Sequence, residues 1–300
     1  MKNWITCALL IIVILTAYLY QEDIIFLVNK YITNEGINEM PLSNNYKKDY
    51  PYNFVQNINH LTPKNKEDIK NIYYTAINYG IDKISYICEK DYPNCINDTS
   101  IISNDDILLS HINNFVHPYN SFQEIKTVVL NNIVTITIKK PYTIDMINGL
   151  NNKMNEIINN INNKMNDNEK IKIIHDYIID NTKYDSNRIK ENNDYKSNLA
   201  YGPLLQGYGI CSGYSDAMSL FLDYFNIPNY RISNDKHVWN LVKLNDKWYH
   251  MDLTWDDPIT SDGSDILSHT YFLITTDQLE KLDNKEHYFD KNIYSEALIY

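Results

Sequence analysis

Apolar residues recur every three or four positions in several stretches of this sequence, which is the spacing of helices with one buried face. Two such stripes follow each other between residues 143 and 181, and we expect Asp167 to cap the second of them. Another stripe runs through the apolar segment that follows Cys211. The predicted helices cover residues 66–79, 104–115, 143–181 and 211–225.

Runs of strand-forming residues make a second pattern, and short polar turns separate them. Residues 125–139 contain two such runs around an Asn-Asn pair, and residues 236–258 contain two more around an Asn-Asp pair. Both are signals of a two-residue β-hairpin. With further strands predicted at 83–88 and 230–232, the chain is expected to be an α+β protein.

The first 22 residues are predicted to be a membrane segment. Residues 5–20 are apolar apart from two threonines, and they follow Lys2. The run is slightly shorter than the roughly 20 residues that a spanning helix requires, so a signal peptide is the alternative. No clear small-residue cleavage site follows, which favours an uncleaved signal anchor. We therefore expect a single-pass protein of the cell membrane with the bulk of its chain extracellular.

Changes in composition divide the remaining chain into three parts. Residues 23–63 are rich in Asn and Tyr and are interrupted by Pro41 and Pro51, which predicts a juxtamembrane linker. Residues 64–142 combine the first helices and strands into a small α+β domain whose role the sequence does not indicate. Residues 143–300 contain the remaining elements and form the third part.

The charge of the chain excludes one class of partner. The formal net charge is −11 and no basic patch interrupts it, so nucleic-acid binding is not expected. The sequence contains no C-x-x-C, H-E-x-x-H or calcium-loop pattern, so no cofactor or dedicated metal site is expected either. His111 and His117 are interpreted as surface or packing residues, and His175, on a helical stripe, as a packing residue.

Glycines concentrate in one short segment, which indicates that the backbone bends tightly there or approaches another group closely. The chain has 8 glycines, and four of them lie within residues 201–213. Cys211 ends this segment just before an apolar stripe, so it should lie in the first turn of a helix. Unpaired N–H groups and the helix dipole favour a thiolate there. Cys211 is a candidate nucleophile, and a buried structural cysteine is the alternative.

The other cysteines leave a question open. Cys7 lies in the predicted membrane segment, whereas Cys88 and Cys95 are seven residues apart. In an oxidising compartment these two could form a disulfide, which would leave Cys211 as the odd thiol. Spacing alone does not decide whether that disulfide forms.

The predicted hairpin over residues 236–258 brings a histidine close to a carboxylate. If its Asn-Asp pair forms the turn, Trp239 faces Asp252 on the neighbouring strand. His237 then lies on the same side of the sheet, diagonal to Asp252 at about 7–8 Å between backbones. His250 shares that side and is the competing histidine. A slip of one residue would separate His237 from Asp252, and an exposed polar pair is the alternative interpretation.

A thiol, a histidine and a carboxylate suffice for nucleophilic catalysis. In this hypothesis His237 takes the proton of Cys211, and Asp252 accepts a hydrogen bond from the other ring nitrogen. Attack of the sulfur on an amide gives a thioester and releases an amine. Water or a second amine then resolves the thioester. The order Cys, His, Asp along the chain is that of papain-like proteases, with Asp in place of their Asn.

Three blocks of sequence occur in a characteristic order. They are Y-G-P-L-L-Q-G-Y-G-I-C-S-G-Y (201–214), H-V-W-N-L-V (237–242) and K-W-Y-H-M-D-L-T-W-D-D-P (247–258), preceded by the helical I-H-D-Y-I-I-D-N-T-K-Y-D (174–185). Together they closely resemble the bacterial transglutaminase-like superfamily. The resemblance implies a papain-like α+β core over residues 143–300, in which the cysteine helix packs on an antiparallel sheet. It assigns the catalytic triad to Cys211, His237 and Asp252.

The sequence also departs from the family. Nothing matches the calcium sites of animal transglutaminases, and Pro203 stands where many relatives have a small residue. For the oxyanion, the backbone N–H of Cys211 is the expected donor, and Gln206 is a weaker candidate by analogy with papain-like enzymes.

Two functions remain open at this stage. The first is a cell-surface thiol enzyme that acts on amide bonds of a protein or peptide, with cell-wall peptide as one candidate, by acyl transfer or by hydrolysis. The triad does not distinguish transfer from hydrolysis, because the fate of the thioester depends on access of water and amine. The second is a non-catalytic surface module whose cleft binds peptide or cell-wall polymer.

Overall fold

The computed structural model describes residues 16, 18–21, 40–162, 164–186, 195–258, 266–283 and 285–300. The predicted anchor over residues 1–22 lies almost entirely outside these ranges and stays a prediction. Among the described residues, no helix has both the length and the apolar character that crossing a membrane requires.

The helices in the described residues are, in chain order, α1 (Lys66–Asn78), α2 (Cys95–Ser103), α3 (Asp106–Asn114), α4 (Ile144–Ile158), α5 (Asp167–Asp180), α6 (Cys211–Tyr224), α7 (Leu253–Asp256) and α8 (Thr276–Leu282). Five of these helices follow the hydrophobic pattern, and α2, α7 and α8 are additions to it. Helix α2 was not predicted, because its buried residues Cys95, Thr99 and Ile102 include only one strongly apolar side chain. A π-helical turn (Gly202–Gln206) and two 3-10 turns (Pro118–Asn120 and Ser295–Leu298) complete the set.

Helix α5 corrects one prediction about capping. Its N-cap is Asn166, whose side chain accepts a hydrogen bond from the Glu169 backbone at 3.0 Å. The Glu169 carboxylate in turn accepts from the Asn166 backbone N–H at 2.9 Å, which completes a capping box. Asp167, which was predicted to be the cap, is the first residue inside the helix, where its charge still favours the helix dipole.

The strands form two three-stranded antiparallel sheets and one short parallel pair. They are β1 (Lys83–Ile87), β2 (Glu124–Leu130), β3 (Ile133–Lys139), β4 (Lys183–Tyr184), β5 (Tyr208–Gly209), β6 (Asn229–Ser233), β7 (Val238–Leu244) and β8 (Lys247–Met251). Their order is β1-β3-β2 in the first sheet and β6-β7-β8 in the second, with β4 beside β5.

The register of the second hairpin is the predicted one. Leu244 pairs with Lys247, and Asn240 pairs with Met251 further along. The turn residues Asn245 and Asp246 have φ values of 50° and 63°, a conformation that Asn and Asp tolerate better than most side chains. Local turn chemistry therefore fixes which residues of β7 and β8 share a side.

Helix α6, which begins at Cys211, packs against β6 and β7 on one side and against α5 on the other. Gly213 and Gly202 allow the chain to approach closely here. A Cβ on Gly213 would lie 2.2 Å from the Ser197 carbonyl oxygen, and one on Gly202 would lie 2.4 Å from that of Tyr208. The glycine-rich segment is therefore required for the tight packing of backbone around the start of α6.

Two large hydrophobic clusters among the described residues hold the elements together. One gathers α4, α5 and α6, and the other joins α1–α3 and the first sheet to aromatic side chains of the second sheet, including Tyr230, Trp239 and Trp248. Tyr52 and Val55, from the predicted linker, are also buried in the latter cluster. The described part of that linker is thus packed against the protein, because its large apolar side chains find partners there.

A buried arginine connects the earlier residues to the cysteine helix. Arg231 on β6 forms an ion pair with Asp216 on α6 and donates hydrogen bonds to the carbonyl groups of Asn113 and Val116. The guanidinium group of Arg231 donates these hydrogen bonds to buried or half-buried acceptors, as a buried charge requires. The segment after α3 is therefore fixed beside the start of α6.

Candidate active site

Cys211 is the first residue of α6. Ile210 before it is extended, with φ −113° and ψ 176°, so the chain turns sharply into the helix at the cysteine. The side chain is half-buried, and among the described residues Cys211 is the free cysteine, because Cys88 and Cys95 form a disulfide. Unpaired N–H groups of the first helical turn surround this position.

His237 lies directly before β7, and three contacts fix it. Its backbone N–H donates to the Asn234 side chain at 2.9 Å, and its ring stacks on that of Trp239 with centroids 5.6 Å apart. The ring atom Nε2 lies 2.5 Å from Oδ2 of Asp252. Nδ1 is therefore the nitrogen left for the Cys211 thiol, which lines the same cavity as His237.

Asp252 directly follows β8 and is the N-cap of the short helix α7. Its Oδ1 accepts hydrogen bonds from the backbone N–H groups of Thr254 and Trp255, at 2.9 and 3.2 Å. Its Oδ2 contacts His237 and, at 2.8 Å, Nε2 of a second histidine, His287. The side chain is only 3% exposed, so these hydrogen bonds and the two imidazoles replace its lost hydration.

Opposite charges determine the protonation of this pair. Burial lowers the pKa of His237, but the Asp252 charge, its hydrogen bond and the contact with Cys211 raise that pKa from 6.5 to about 10. Burial raises the pKa of Asp252, but His237 and His287 hold it well below its ordinary value. At neutral pH the pair is therefore an imidazolium and a carboxylate.

His287 is a site residue that the sequence analysis missed. Besides Asp252, it contacts the Asp283 carboxylate through Nδ1 at 3.1 Å, and its ring stacks on Tyr271 with centroids 5.0 Å apart. Trp255 packs against it edge-on. No periodic pattern predicts this contact, because His287 lies outside the helices and strands and 35 residues beyond Asp252.

The competing histidine has a different role. His250 is buried, accepts a hydrogen bond from the Trp239 indole at 3.0 Å and contacts Thr276 through its other nitrogen. Burial lowers its pKa to about 3, so the ring is neutral and its hydrogen bonds serve packing. His117 is likewise buried, with a pKa lowered to about 4. His111 is half-buried, and its Nδ1 lies 2.7 Å from the Tyr294 hydroxyl oxygen.

A cavity of about 470 Å³ opens beside Cys211 and His237. Residues from both halves of the chain line it, among them Asn113 and Phe122 from the earlier part and Lys236 from the loop before β7. Most of the lining residues carry polar side chains, and the cavity is open to solvent. Gln206, the weaker oxyanion candidate, directs its side-chain oxygen to the Lys196 backbone N–H at 2.8 Å.

Two groups of described side chains have the composition of metal ligands. One is His237, Asp252 and His287, whose contacts are accounted for by the hydrogen bonds above. The other is His175, Asp176 and His269, outside the cavity lining. His175 was interpreted as a packing residue and is fully buried, but both its ring nitrogens contact carboxylates.

The comparisons with known proteins agree with this architecture. Residues 155–253 match the family model of the transglutaminase-like superfamily, a stretch that contains Cys211, His237 and Asp252. This segment is therefore transglutaminase-like, which supports the resemblance that the sequence blocks indicated. Members of this superfamily are typically cysteine proteases or acyltransferases, so the fold is that of thiol enzymes in general.

Two solved structures are similar over part of the chain. A transglutaminase ("TGase") shares 15% identity at a TM-score of 0.33, covering 57% of this chain and 51% of its own. A "putative cysteine protease" from Cytophaga hutchinsonii shares 14% identity at a TM-score of 0.28, covering 48% of this chain and 65% of its own. The chain thus spans about half to two thirds of the length of these structures. No curated protein matches the sequence.

Proposed function

We propose that this protein is a thiol enzyme that acts on amide bonds of a protein or peptide through a thioester on Cys211. The observation that carries the proposal is the His237–Asp252 contact, with His237 lining the same cavity as Cys211 at the start of a helix. This arrangement supplies a nucleophile, a proton carrier and a group that holds the ring.

The order of the proposed reaction steps follows from the proton that His237 holds and transfers. The Cys211 thiolate attacks the amide carbonyl carbon, and the carbonyl oxygen becomes an oxyanion near the first N–H groups of α6. The C–N bond then breaks, and the leaving amine takes its proton from Nδ1 of His237. Water or a second amine then attacks the thioester and gives its proton to His237, the C–S bond breaks, and the Cys211 thiolate is released. Asp252 keeps Nε2 as a donor throughout, because its carboxylate remains ionised.

The open, polar cavity favours a substrate that presents backbone or side-chain amides, since asparagine and lysine groups line it. Peptide from the cell wall remains one candidate among protein and peptide substrates. The fate of the thioester depends on whether amine or water reaches it first. We therefore include both acyl transfer and hydrolysis in the proposal.

One experiment tests the proposal directly. The full chain is incubated with a glutamine-containing peptide and a labelled primary amine, and the products are separated by mass spectrometry. Transfer replaces the side-chain amide nitrogen of glutamine with the labelled amine and releases ammonia, deamidation converts glutamine to glutamate and releases ammonia, and protease action shortens the peptide. All three should be lost in Cys211→Ala, and a peptide thioester on the wild-type protein should be trapped by acid quench.

Activity that persists in Cys211→Ala would contradict the proposal. Peptide binding without any covalent product in the wild type would also contradict it, and would support a non-catalytic module. His111→Gln, which changes a half-buried histidine outside the cavity lining, is a matched control.

We also propose that the enzyme works at the cell surface. The Cys88–Cys95 disulfide supports an oxidising compartment, because such bonds persist outside the cytoplasm. The apolar run over residues 5–20 supports attachment to the membrane. Fractionation of cells that express a tagged chain tests this location, and recovery of the protein in the cytosol with reduced cysteines would contradict it.

A further inference from the structure

A second histidine–carboxylate cluster lies near the end of α7, at Asp256. It consists of His175 and Asp176 on α5 and of His269, and one ligand atom from each lies within 4.8 Å of the others. We propose that this cluster binds a divalent transition-metal ion, with Zn²⁺ as the best match. The proposal does not depend on the catalytic role of Cys211, since the two sites share no residue.

The donor set is the first argument. Two imidazole nitrogens and one carboxylate oxygen are ligands of zinc, and a water molecule can complete a tetrahedron. The Asp176 Oδ1 atom lies 2.9 Å from Nδ1 of His175 and 2.6 Å from Nε2 of His269. Zinc bonds of roughly 2.0–2.2 Å need these atoms slightly further apart. Asp176 and His269 can move, because their side chains are 28% and 36% exposed.

The second argument is the group behind His175. Its Nε2 lies 3.2 Å from Oδ2 of Asp256, and both side chains are completely buried. The other Asp256 oxygen accepts a hydrogen bond from the Tyr271 backbone N–H at 3.0 Å. A histidine that ligates a metal usually donates its other N–H to a carboxylate in this way. Asp256 therefore directs the Nδ1 lone pair of His175 towards Asp176.

The third argument is a cation that already occupies the cluster. The Lys172 ammonium lies 2.7 Å from Oδ2 of Asp176 and 2.6 Å from Nε2 of His269. A positive charge is thus favourable between these two ligands. Lys172 is 46% exposed and can move into solvent when a metal ion takes its place. The lysine should therefore compete with the metal ion and lower its affinity.

The position of the cluster gives the metal a structural task. Asp256 accepts the Ser268 backbone N–H at 2.8 Å, and Asp252 donates its own N–H to the Tyr271 carbonyl at 3.1 Å. A metal ion would hold His269 to α5 and so stabilise the segment that supports both ends of α7. Binding of the metal ion should therefore increase the folding stability of the protein, in addition to any effect on catalysis.

The test uses the full chain with Cys211→Ala as the background, so that the Cys211 thiol cannot bind metal. After removal of metal with a chelator, Zn²⁺ binding is measured by isothermal titration calorimetry. We expect one equivalent to bind and to raise the melting temperature. His269→Ala, at a partly exposed position, should weaken binding at least about tenfold. Lys172→Ala should tighten it several-fold, an effect that misfolding cannot produce.

His287→Ala is the matched control, because it disrupts the other candidate cluster and should leave this Zn²⁺ affinity unchanged. Three results would overturn the proposal: no binding in the Cys211→Ala background, unchanged affinity in His269→Ala, or loss of binding in His287→Ala. Unchanged or weaker binding in Lys172→Ala would also contradict it, since the lysine would then not occupy the metal position.

Discussion

Helix α7 has a buried carboxylate at each end, and each one contacts a histidine. Asp252 at its start contacts His237, and Asp256 at its end contacts His175. The two pairs have the same chemical groups, and both carboxylates belong to the same short helix. Only the first lies beside a thiol and in the lining of an open cavity.

The two pairs differ in what the second ring nitrogen of the histidine contacts. His175 contacts Asp256 through Nε2 and Asp176 through Nδ1, so both nitrogens face carboxylates. His237 contacts Asp252 through Nε2 alone, which leaves Nδ1 for Cys211. A histidine–carboxylate pair therefore becomes a candidate catalytic pair only when the other nitrogen faces a reactive group and substrate can reach it.

The largest effect should come from removal of the proposed base. His237→Ala should lower kcat/KM of the Cys211-dependent reaction about 10⁴-fold, because the sulfur loses its proton acceptor and its partner charge. Steady-state kinetics on folded protein measure this. A change of tenfold or less would mean that His237 does not act on the sulfur. His111→Gln serves as the histidine control outside the cavity.

Asp252→Asn should have the next largest effect, about 10²–10⁴-fold on kcat. Without the carboxylate charge the pKa of His237 should fall from about 10 towards its ordinary value. The alkaline limb of the pH–rate profile should therefore move from near pH 10 to lower pH in the variant. Identical alkaline limbs in the two proteins would show that Asp252 does not set the charge of His237.

The same pKa shift makes folding stability depend on pH. Below about pH 6.5 His237 is protonated in both folded and unfolded chains, and the pair contributes fully to the free energy of unfolding. As the pH rises from 6.5 through about 10, the unfolded chain loses its proton first and this contribution is lost. The depressed pKa of Asp252 acts in the opposite sense, since its contribution is lost as the pH falls below about 4.

Urea unfolding of the wild type and of His237→Gln at pH 6, 8 and 10 measures the stability effect. We expect the wild-type advantage to shrink over this series. An advantage that grows with pH would contradict the proposed ion pair.

His287 should have a smaller effect, because it acts on the reaction through Asp252. His287→Ala should lower kcat about tenfold and shift the alkaline limb, whereas His287→Gln, which retains a donor, should recover part of the loss. Kinetics at several pH values separate this positioning role from general destabilisation. Equal losses in both variants, with an unshifted pH profile, would indicate a purely structural role.

The disulfide should matter least for the reaction. Replacement of Cys88 and Cys95 by serine should lower the free energy of unfolding by about 2 kcal/mol, because the bond closes a short loop. Activity per folded molecule should stay unchanged, since the disulfide lies outside the cavity lining. Chemical denaturation and kinetics measure the two quantities. A loss of activity without a loss of stability would contradict this separation.

Much of the site could be predicted from local patterns. The Asn245-Asp246 turn specified the register of β7 and β8, and the apolar stripe after Cys211 specified the start of α6. Both depend on residues that are neighbours in the sequence. His287 could not be found in this way, because no period relates it to Asp252. The capping residue of α5 was wrong by one position, since Asn166 and Asp167 are both good caps.

The sequence by itself determined helices α1 and α3–α6 and the hairpin of β7 and β8, because turn propensities and hydrophobic periods act over a few residues. Its sequence blocks predicted Cys211, His237 and Asp252 as the catalytic residues. Only the tertiary structure decided which ring nitrogen faces the sulfur, which second histidine contacts Asp252, and which carboxylates enclose His175. These contacts join residues that are far apart in the chain. They depend on how buried charges find partners once the two hydrophobic clusters have formed.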